Sequence, residues 1–272
     1  MAKGGLGAHT FGCVWDMDAA AAVGALAEQG FTRFEFIAMA PHLDPRRASP
    51  DAARTIRRAL EAAHGEALAL DLPSNDVNLA STSPDLVDFT IESYAAALRM
   101  AGEIGARWVV VLPGRRHMLL PPRDDRLLDV FRGALERLVP LAERSGVRLL
   151  IENHPQTLLP DAASIAAFLA REGHGRVDAL YDLANGVAIG EAPDAALAAL
   201  EPFLAMVHVS DTPAGQWRHD PIGTGAVDFD AARGALARLS FAGPVVAEII
   251  APDPVAQLVR ARAALQARGW PV

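Results

Sequence analysis

One pattern repeats from end to end of this chain: a short apolar run, then a longer Ala/Leu/Arg segment of helical period. The strand candidates are LGAHTF (6–11), FTRFEFIA (31–38), ALALDLP (67–73), RWVVVLP (107–113), VRLLIEN (147–153), VDALYDL (177–183), AMVHVSD (205–211) and PVVAEII (244–250). Helix candidates lie between them at 18–29, 50–64, 84–105, 124–145, 161–172, 193–201, 229–239 and 253–268. Ser83-Pro84 and Asp253-Pro254 read as helix starts, and Ser145-Gly146 as a stop. Strands that carry helices on both faces read as near-continuous apolar runs, as WVVVL and PVVAEII do. Eight strand–helix pairs, at roughly 34 residues each, predict one closed (β/α)8 TIM barrel spanning 1–272 as a single domain. An open dinucleotide-binding sheet is disfavoured, because GGLG (4–7) precedes the first strand and no Gly-x-Gly-x-x-Gly follows it.

Composition narrows the function classes. Hydrophobic residues make up 51%, much of it Ala, which suits many packed helices and a core that needs no covalent staples. A single cysteine, Cys13, rules out an intramolecular disulfide framework and Cys-rich zinc sites, so a cytoplasmic location is expected. A formal net charge of −8 is unsuited to holding a phosphate backbone, and nucleic acid is not an expected partner. The opening MAKGGLGAHTFG lacks the apolar run of a signal peptide, and no stretch of about 18 apolar residues predicts a membrane span.

In a (β/α)8 enzyme the chemistry sits at the C-terminal ends of the strands. The fifth strand ends in Glu152, the sixth in Asp182, the seventh in His208 and the eighth in Glu248, each after an apolar run: LLI, ALY, AMV and VVA. One acidic residue at a strand end is most simply a helix N-cap or a loop ion pair, and one histidine a hydrogen-bonded core residue. Four on consecutive strands are harder to explain so, since three converging carboxylates repel and burial adds to the cost. A divalent cation relieves that repulsion. The oxygen-rich donor set suits Mn²⁺ or Mg²⁺, and Zn²⁺ also accepts these ligands.

With these residues in view, the chain resembles the sugar phosphate isomerase/epimerase family, whose members share a xylose-isomerase-like barrel. GFTRFEF (30–36), NDVNLAS (75–81), GVRLLIENHP (146–155), YDLANGV (181–187), VHVSDT (207–212), RHDPIGTGAVDF (218–229) and VVAEI (245–249) carry the likeness, most specifically in the C-terminal half. The resemblance implies one divalent ion, commonly Mn²⁺ with Mg²⁺, Co²⁺ or Zn²⁺ as alternatives, on Glu152, Asp182, His208 and Glu248. It makes Glu152 and Glu248 the acid/base pair and brings Arg218 to the substrate. Two positions depart from the family's pattern. Asn185 stands where the keto-sugar epimerases carry a histidine, and Leu112 where the endonuclease branch needs one, so a three-metal nuclease is not expected.

The implied reaction is proton abstraction next to a carbonyl of a keto-sugar or keto-polyol, giving isomerisation or epimerisation. Two alternatives stand beside it: a metal-dependent lyase or dehydratase, and a non-catalytic sugar- or metal-binding barrel. His154, Asn185, Glu35, Arg218 and His219 are the further candidates for substrate contact, with a supporting or structural role as the competing reading for each. Asn75 and Asn78 read as turn residues, and Trp15 as an apolar wall or a packing residue. The segment 114–125 reads as a long loop over the active face, serving as a lid or an oligomer contact; a homo-oligomer is compatible with it.

Overall fold

The computed structural model describes residues 5–73, 75–116, 119–120, 123–172 and 175–272. Eight strands are present: β1 (Gly7–His9), β2 (Arg33–Ile37), β3 (Glu66–Asp71), β4 (Trp108–Val111), β5 (Arg148–Glu152), β6 (Val177–Asp182), β7 (Leu204–Val209) and β8 (Val245–Ala247). Each pairs in parallel with its sequence neighbours, and β8 pairs back onto β1, closing the barrel. Nine helices occur among the described residues: α1 (Ala19–Ala27), α2 (Ala52–Ala62), α3 (Pro84–Ile104), α4 (Asp124–Arg144), α5 (Ala162–Glu172), α6 (Leu183–Ala188), α7 (Pro193–Leu200), α8 (Phe229–Arg238) and α9 (Pro254–Ala267).

Period-two alternation divides the apolar residues between two cores. Leu68, Trp108, Val110, Leu150, Leu180, Met206 and Val246 fill the inside of the barrel. Their neighbours Val109, Leu149, Ile151, Ala179, Tyr181, Val207 and Ala247 face outward against the helices. Gly7 belongs to the inner layer, where a Cβ would stand 2.9 Å from a Val246 methyl and 3.0 Å from Leu68.

The observed elements differ from the sequence reading in three places. β1 stops at His9 because residues Phe11–Cys13 turn into a 3₁₀ helix. β8 stops at Ala247; beyond it, Ile250 N–H donates to the His219 carbonyl of a neighbouring loop at 2.8 Å instead of continuing the ladder. The short helix α6 was not expected, since its LANGVA sequence contains Asn and Gly, both poor helix formers. The Asp182 side chain makes this helix possible by accepting from Asn185 N–H at 2.6 Å, as an N-cap. Of the 114–125 segment, residues 117–118 and 121–122 lie outside the described residues. Among the described residues no helix is long and apolar enough to cross a membrane.

The mouth between β1 and β2 is closed by buried His42. Its Nδ1–H donates to the Met17 carbonyl at 2.6 Å and its Nε2 accepts from the Thr10 hydroxyl at 2.9 Å. Thr10 Oγ1 in turn accepts from Ile37 N–H at 3.2 Å. Burial lowers the His42 pKa below its ordinary 6.5, against the opposing pull of the Met17 bond and Asp18. The unfolded chain therefore takes up this proton first, so the neutral imidazole's contribution is complete above pH 6.5 and is lost as pH falls toward the folded value. His42→Ala is expected to cost about 1–3 kcal/mol at pH 8. Chemical denaturation series down to about pH 5 should show a shallower acid decline for the variant than for the unsubstituted chain.

Candidate active site

The alternation that fills the barrel also selects what faces its mouth. Leu150 points inward on β5 and Glu152 stands two residues above it. Leu180 and Asp182, Met206 and His208, and Val246 and Glu248 repeat the relation on the next three strands. On the other four strands the same layer holds His9, Glu35, Asp71 and Leu112. All eight are buried, and all but Leu112 are polar. Above them opens a cavity of about 360 Å³.

Glu152, Asp182, His208 and Glu248 each offer one donor atom within 4.8 Å of the others. From His208 Nδ1 the distances are 3.1 Å to Glu248 Oε2, 3.8 Å to Glu152 Oε1 and 4.0 Å to Asp182 Oδ2. Donors sharing an ion at about 2.1 Å stand about 3.0 Å apart at right angles and about 4.2 Å apart when opposite, so the cluster matches a divalent ion. Asp182 divides its oxygens: Oδ1 caps α6, whereas Oδ2 is buried with no hydrogen-bond partner. His208 is oriented from behind, its Nε2 2.8 Å from Glu35 Oε2. That bond places a proton on Nε2 and leaves Nδ1 for a metal. These residues fit a metal.

Without an ion, protons must do the compensating. Burial would lower the His208 pKa, but Glu35 and Glu248 outweigh it and hold the imidazole well above its ordinary value. Burial raises the Glu152 carboxyl well above the usual range; His208 opposes the rise, and Glu248, Asp71 and Asp182 reinforce it. Glu248 is also buried, yet His219, His9 and His208 together hold it below the usual carboxylate range.

The further candidates fall in different places. His219 joins the cluster, its Nδ1 3.5 Å from Glu248 Oε2, 3.7 Å from Asp182 Oδ2 and 3.1 Å from Ser210 Oγ. Arg218 lies on the cavity rim, bound to Asp220 at 2.9 Å and more than half exposed. Gly223 and Gly225 let this loop fold back: Gly223 has φ 89°, and a Cβ on Gly225 would lie 2.4 Å from Asp211 Oδ1. Asn185 lines the cavity; its Nδ2 donates to the Asn153 carbonyl at 2.9 Å, and its Oδ1 is unpartnered. His154 lines it too, edge-on to Trp217 at 4.4 Å. Its Nδ1 accepts from Gln156 N–H, and burial, with His219 and Arg115 adding to it, lowers its pKa to about 4. Glu35 is not on the cavity wall; it is fully buried behind His208 and orients that ring. Trp15 is 72% exposed and off the wall, where Phe11, Trp217 and Ile250 supply the apolar surface. Asn78 ties two loops by accepting from Arg115 N–H at 2.9 Å and donating to its carbonyl.

Two residues of the candidate site escaped the sequence reading. Asp71 ends β3 on the cavity wall; the same rule of an apolar run ending in a polar residue picks it out of LALD. Asn153 is fully buried beside Glu152, accepting from Asp182 N–H at 2.7 Å and donating to its carbonyl at 3.1 Å. It clamps two candidate ligands together, and no sequence signal separates it from a turn asparagine.

A closed parallel barrel with carboxylates and imidazoles gathered at the C-terminal ends of its strands defines a (β/α)8 protein with a buried cluster able to hold a divalent ion. The chain matches the xylose isomerase-like TIM barrel model over residues 23–268 and belongs to that family. Among curated relatives, L-ribulose-5-phosphate 3-epimerase UlaE of Salmonella paratyphi C (strain RKS4594) is 26% identical over 245 residues, covering 86% of this chain and 85% of the relative. Among solved structures, a D-tagatose 3-epimerase-like protein superposes with a TM-score of 0.85 at 20% identity, covering 97% of this chain and 96% of the other. D-allulose 3-epimerase from Methylomonas sp. in complex with D-allulose gives 0.80 at 19% identity, covering 98% of each.

Mn²⁺ should bind one ion per chain, and at a hundred-fold excess over Kd should stabilise the fold by about 2.7 kcal/mol. Binding should tighten as pH rises, because the proton on His208 Nδ1 must leave. His208→Ala should abolish both effects, as read by metal analysis and thermal melts.

Proposed function

We propose that this chain is a divalent-metal-dependent keto-sugar epimerase or isomerase that moves a proton at a carbon next to the carbonyl. The observation that carries the reading is the pair Glu152 and Glu248. Both are buried on the wall of one cavity, on strands that flank Asp182 and His208 from either side. Two carboxylates that meet one ligand from different sides can divide the taking and the returning of a proton. Epimerisation needs both roles, one on each face of the reacting carbon. The relatives' names, all sugar epimerases, favour the same chemistry.

An ion on Glu152, Asp182, His208 and Glu248, with Mn²⁺ our choice, would polarise the substrate carbonyl and place positive charge where negative charge develops. One of Glu152 and Glu248 takes the proton, and the other returns one on the opposite face of the carbon. Each positioned group is typically worth ~10²–10⁴-fold, roughly 3–5 kcal/mol of barrier. Asn185 Oδ1 accepts from a substrate hydroxyl, and neutral His154 donates through Nε2–H, the ring nitrogen left without a partner. Arg218 at the rim, and Trp217 packed on His154, limit the entry of water.

A metal-dependent lyase is the second reading, favoured by Asn185. Its amide binds a hydroxyl but carries no proton, which suits a site where a β-leaving group departs instead of a proton returning.

The test is incubation of the Mn²⁺-loaded protein with D-allulose, D-tagatose, L-ribulose and its 5-phosphate in D₂O. Deuterium should enter at the epimerised carbon. Glu152→Gln and Glu248→Gln should each lose ~10²–10⁴-fold in kcat, with metal content measured alongside. Full turnover in the Glu248→Gln variant would refute its role as acid or base, and water release without deuterium-bearing sugar would favour the lyase.

A further inference from the structure

His9, Glu35 and Asp71 hold the β1–β3 side of the mouth, and the proton transfer proposed above uses neither His9 nor Asp71. His9 is 1% exposed, and its Nδ1 accepts from Phe11 N–H at 3.0 Å. A neutral imidazole with that lone pair engaged carries its proton on Nε2. Nε2 lies 3.9 Å from Asp71 Oδ2 and 3.9 Å from Glu35 Oε1, too far to bond either, and it has no partner in the structure. Asp71 is on the cavity wall.

His9, Asp71 and Glu248 also bring three donor-type atoms within 4.8 Å, the spacing of a second metal site. The His9 tautomer argues against one, because a protonated Nε2 has no lone pair for an ion. His208 is the opposite case: its Nε2 is occupied by Glu35 and its Nδ1 points to the carboxylates. The rings touch edge to face, 5.7 Å between centroids, with opposite nitrogens engaged.

We propose that His9 and Asp71 form a metal-free subsite that binds a hydroxyl on the part of the substrate remote from the reacting carbon, with His9 Nε2–H donating and Asp71 completing the pair. A ligand oxygen standing about 2 Å to the side of the 3.9 Å line that joins them lies at a normal hydrogen-bond distance from each. A hydroxyl fits either charge state of Asp71, since it donates to a carboxylate and accepts from an acid. A phosphoryl group does not fit, because Glu35, Asp71 and Glu248 surround the position. The substrate is therefore a ketose whose far end is hydroxylated and uncharged at this point. The inference rests on the ketose reading above.

Ring-nitrogen NMR of the ¹⁵N-labelled protein tests the tautomer without substrate. His9 should remain Nε2–H on adding one equivalent of diamagnetic Zn²⁺, while the His208 nitrogens move. Coordination at His9, or two ions per chain at saturation, overturns the proposal. D-Allulose added to the Zn²⁺-loaded protein should then shift His9 Nε2–H. By calorimetry on Mn²⁺-loaded protein, Asp71→Leu should bind D-allulose about ten-fold more weakly and Asp71→Asn nearly normally. If the sugar binds while His9 is unmoved and Asp71→Leu binds as tightly, the subsite is wrong and the ketose reading survives. If neither D-allulose, D-tagatose nor L-ribulose binds the unsubstituted metal-loaded chain, both fall.

Discussion

The rest of the site depends on the burial of Glu35, Asp71, Glu152, Asp182 and Glu248 in one layer of side chains at the barrel mouth. Two unit charges of like sign 4 Å apart cost about 4 kcal/mol at an effective dielectric of 20, and burial adds a solvation penalty to each. Such a layer persists only where cations or protons neutralise it. Backbone and caps satisfy part of it, as when Asn185 N–H binds Asp182 Oδ1. His208, bracketed by Glu35 and Glu248, satisfies another part. The remaining oxygens converge on one small volume beside His208 Nδ1, where a divalent ion would do most to offset the repulsion.

The scaffold around this layer is correspondingly stiff. Asn153 binds both the N–H and the carbonyl of Asp182, locking the ends of β5 and β6 together. Asp211 anchors the loop that bears Arg218 and His219, its carboxylate accepting from Thr212 N–H, Gly223 N–H and Val227 N–H at 2.8–3.1 Å. Below, the inner core of Trp108, Leu150, Met206 and their neighbours leaves the strands no room to slide. A one-residue slip would send Glu152 outward into the apolar layer of Ile151. Packing at the bottom of the barrel therefore fixes the geometry at its top.

This relation is also why so much was legible from the amino-acid order. A parallel strand buried on both faces is read from continuous apolar residues, and a polar residue at its end then stands out, as at LLIE, ALYD, MVH and VVAE. The eight long helices followed from their period and end signals. Helix α6 did not, since it exists because a tertiary arrangement places the Asp182 carboxylate on Asn185 N–H. Asp71 obeyed the strand-end rule yet sat in a run that continues apolar through Leu72 and Pro73, which hid it. Glu35 was read with its two roles open, and the bond to His208 gives it the orienting one. Trp15 matched neither of its expected roles, because exposure of a single aromatic depends on where a loop points and not on any local pattern.

The mouth layer divides into two halves of different chemistry. Strands β5 to β8 supply Glu152, Asp182, His208 and Glu248, whose donor atoms lie within 4.8 Å of one another and fit one ion. The other side of the mouth holds His9 at the end of β1, Asp71 at the end of β3 and Leu112 just past β4. Glu35 on β2 sits at the seam, one oxygen bonded to His208 and the other facing His9. A change in the first half disturbs the charge balance of the whole layer. A change in the second reaches the first through charge, since Asp71 acts on Glu152 and His9 on Glu248. The imidazole and carboxyl that this chain places on β1 and β3 therefore belong to the same buried layer as the candidate ligands, joined to it at Glu35 and Glu248.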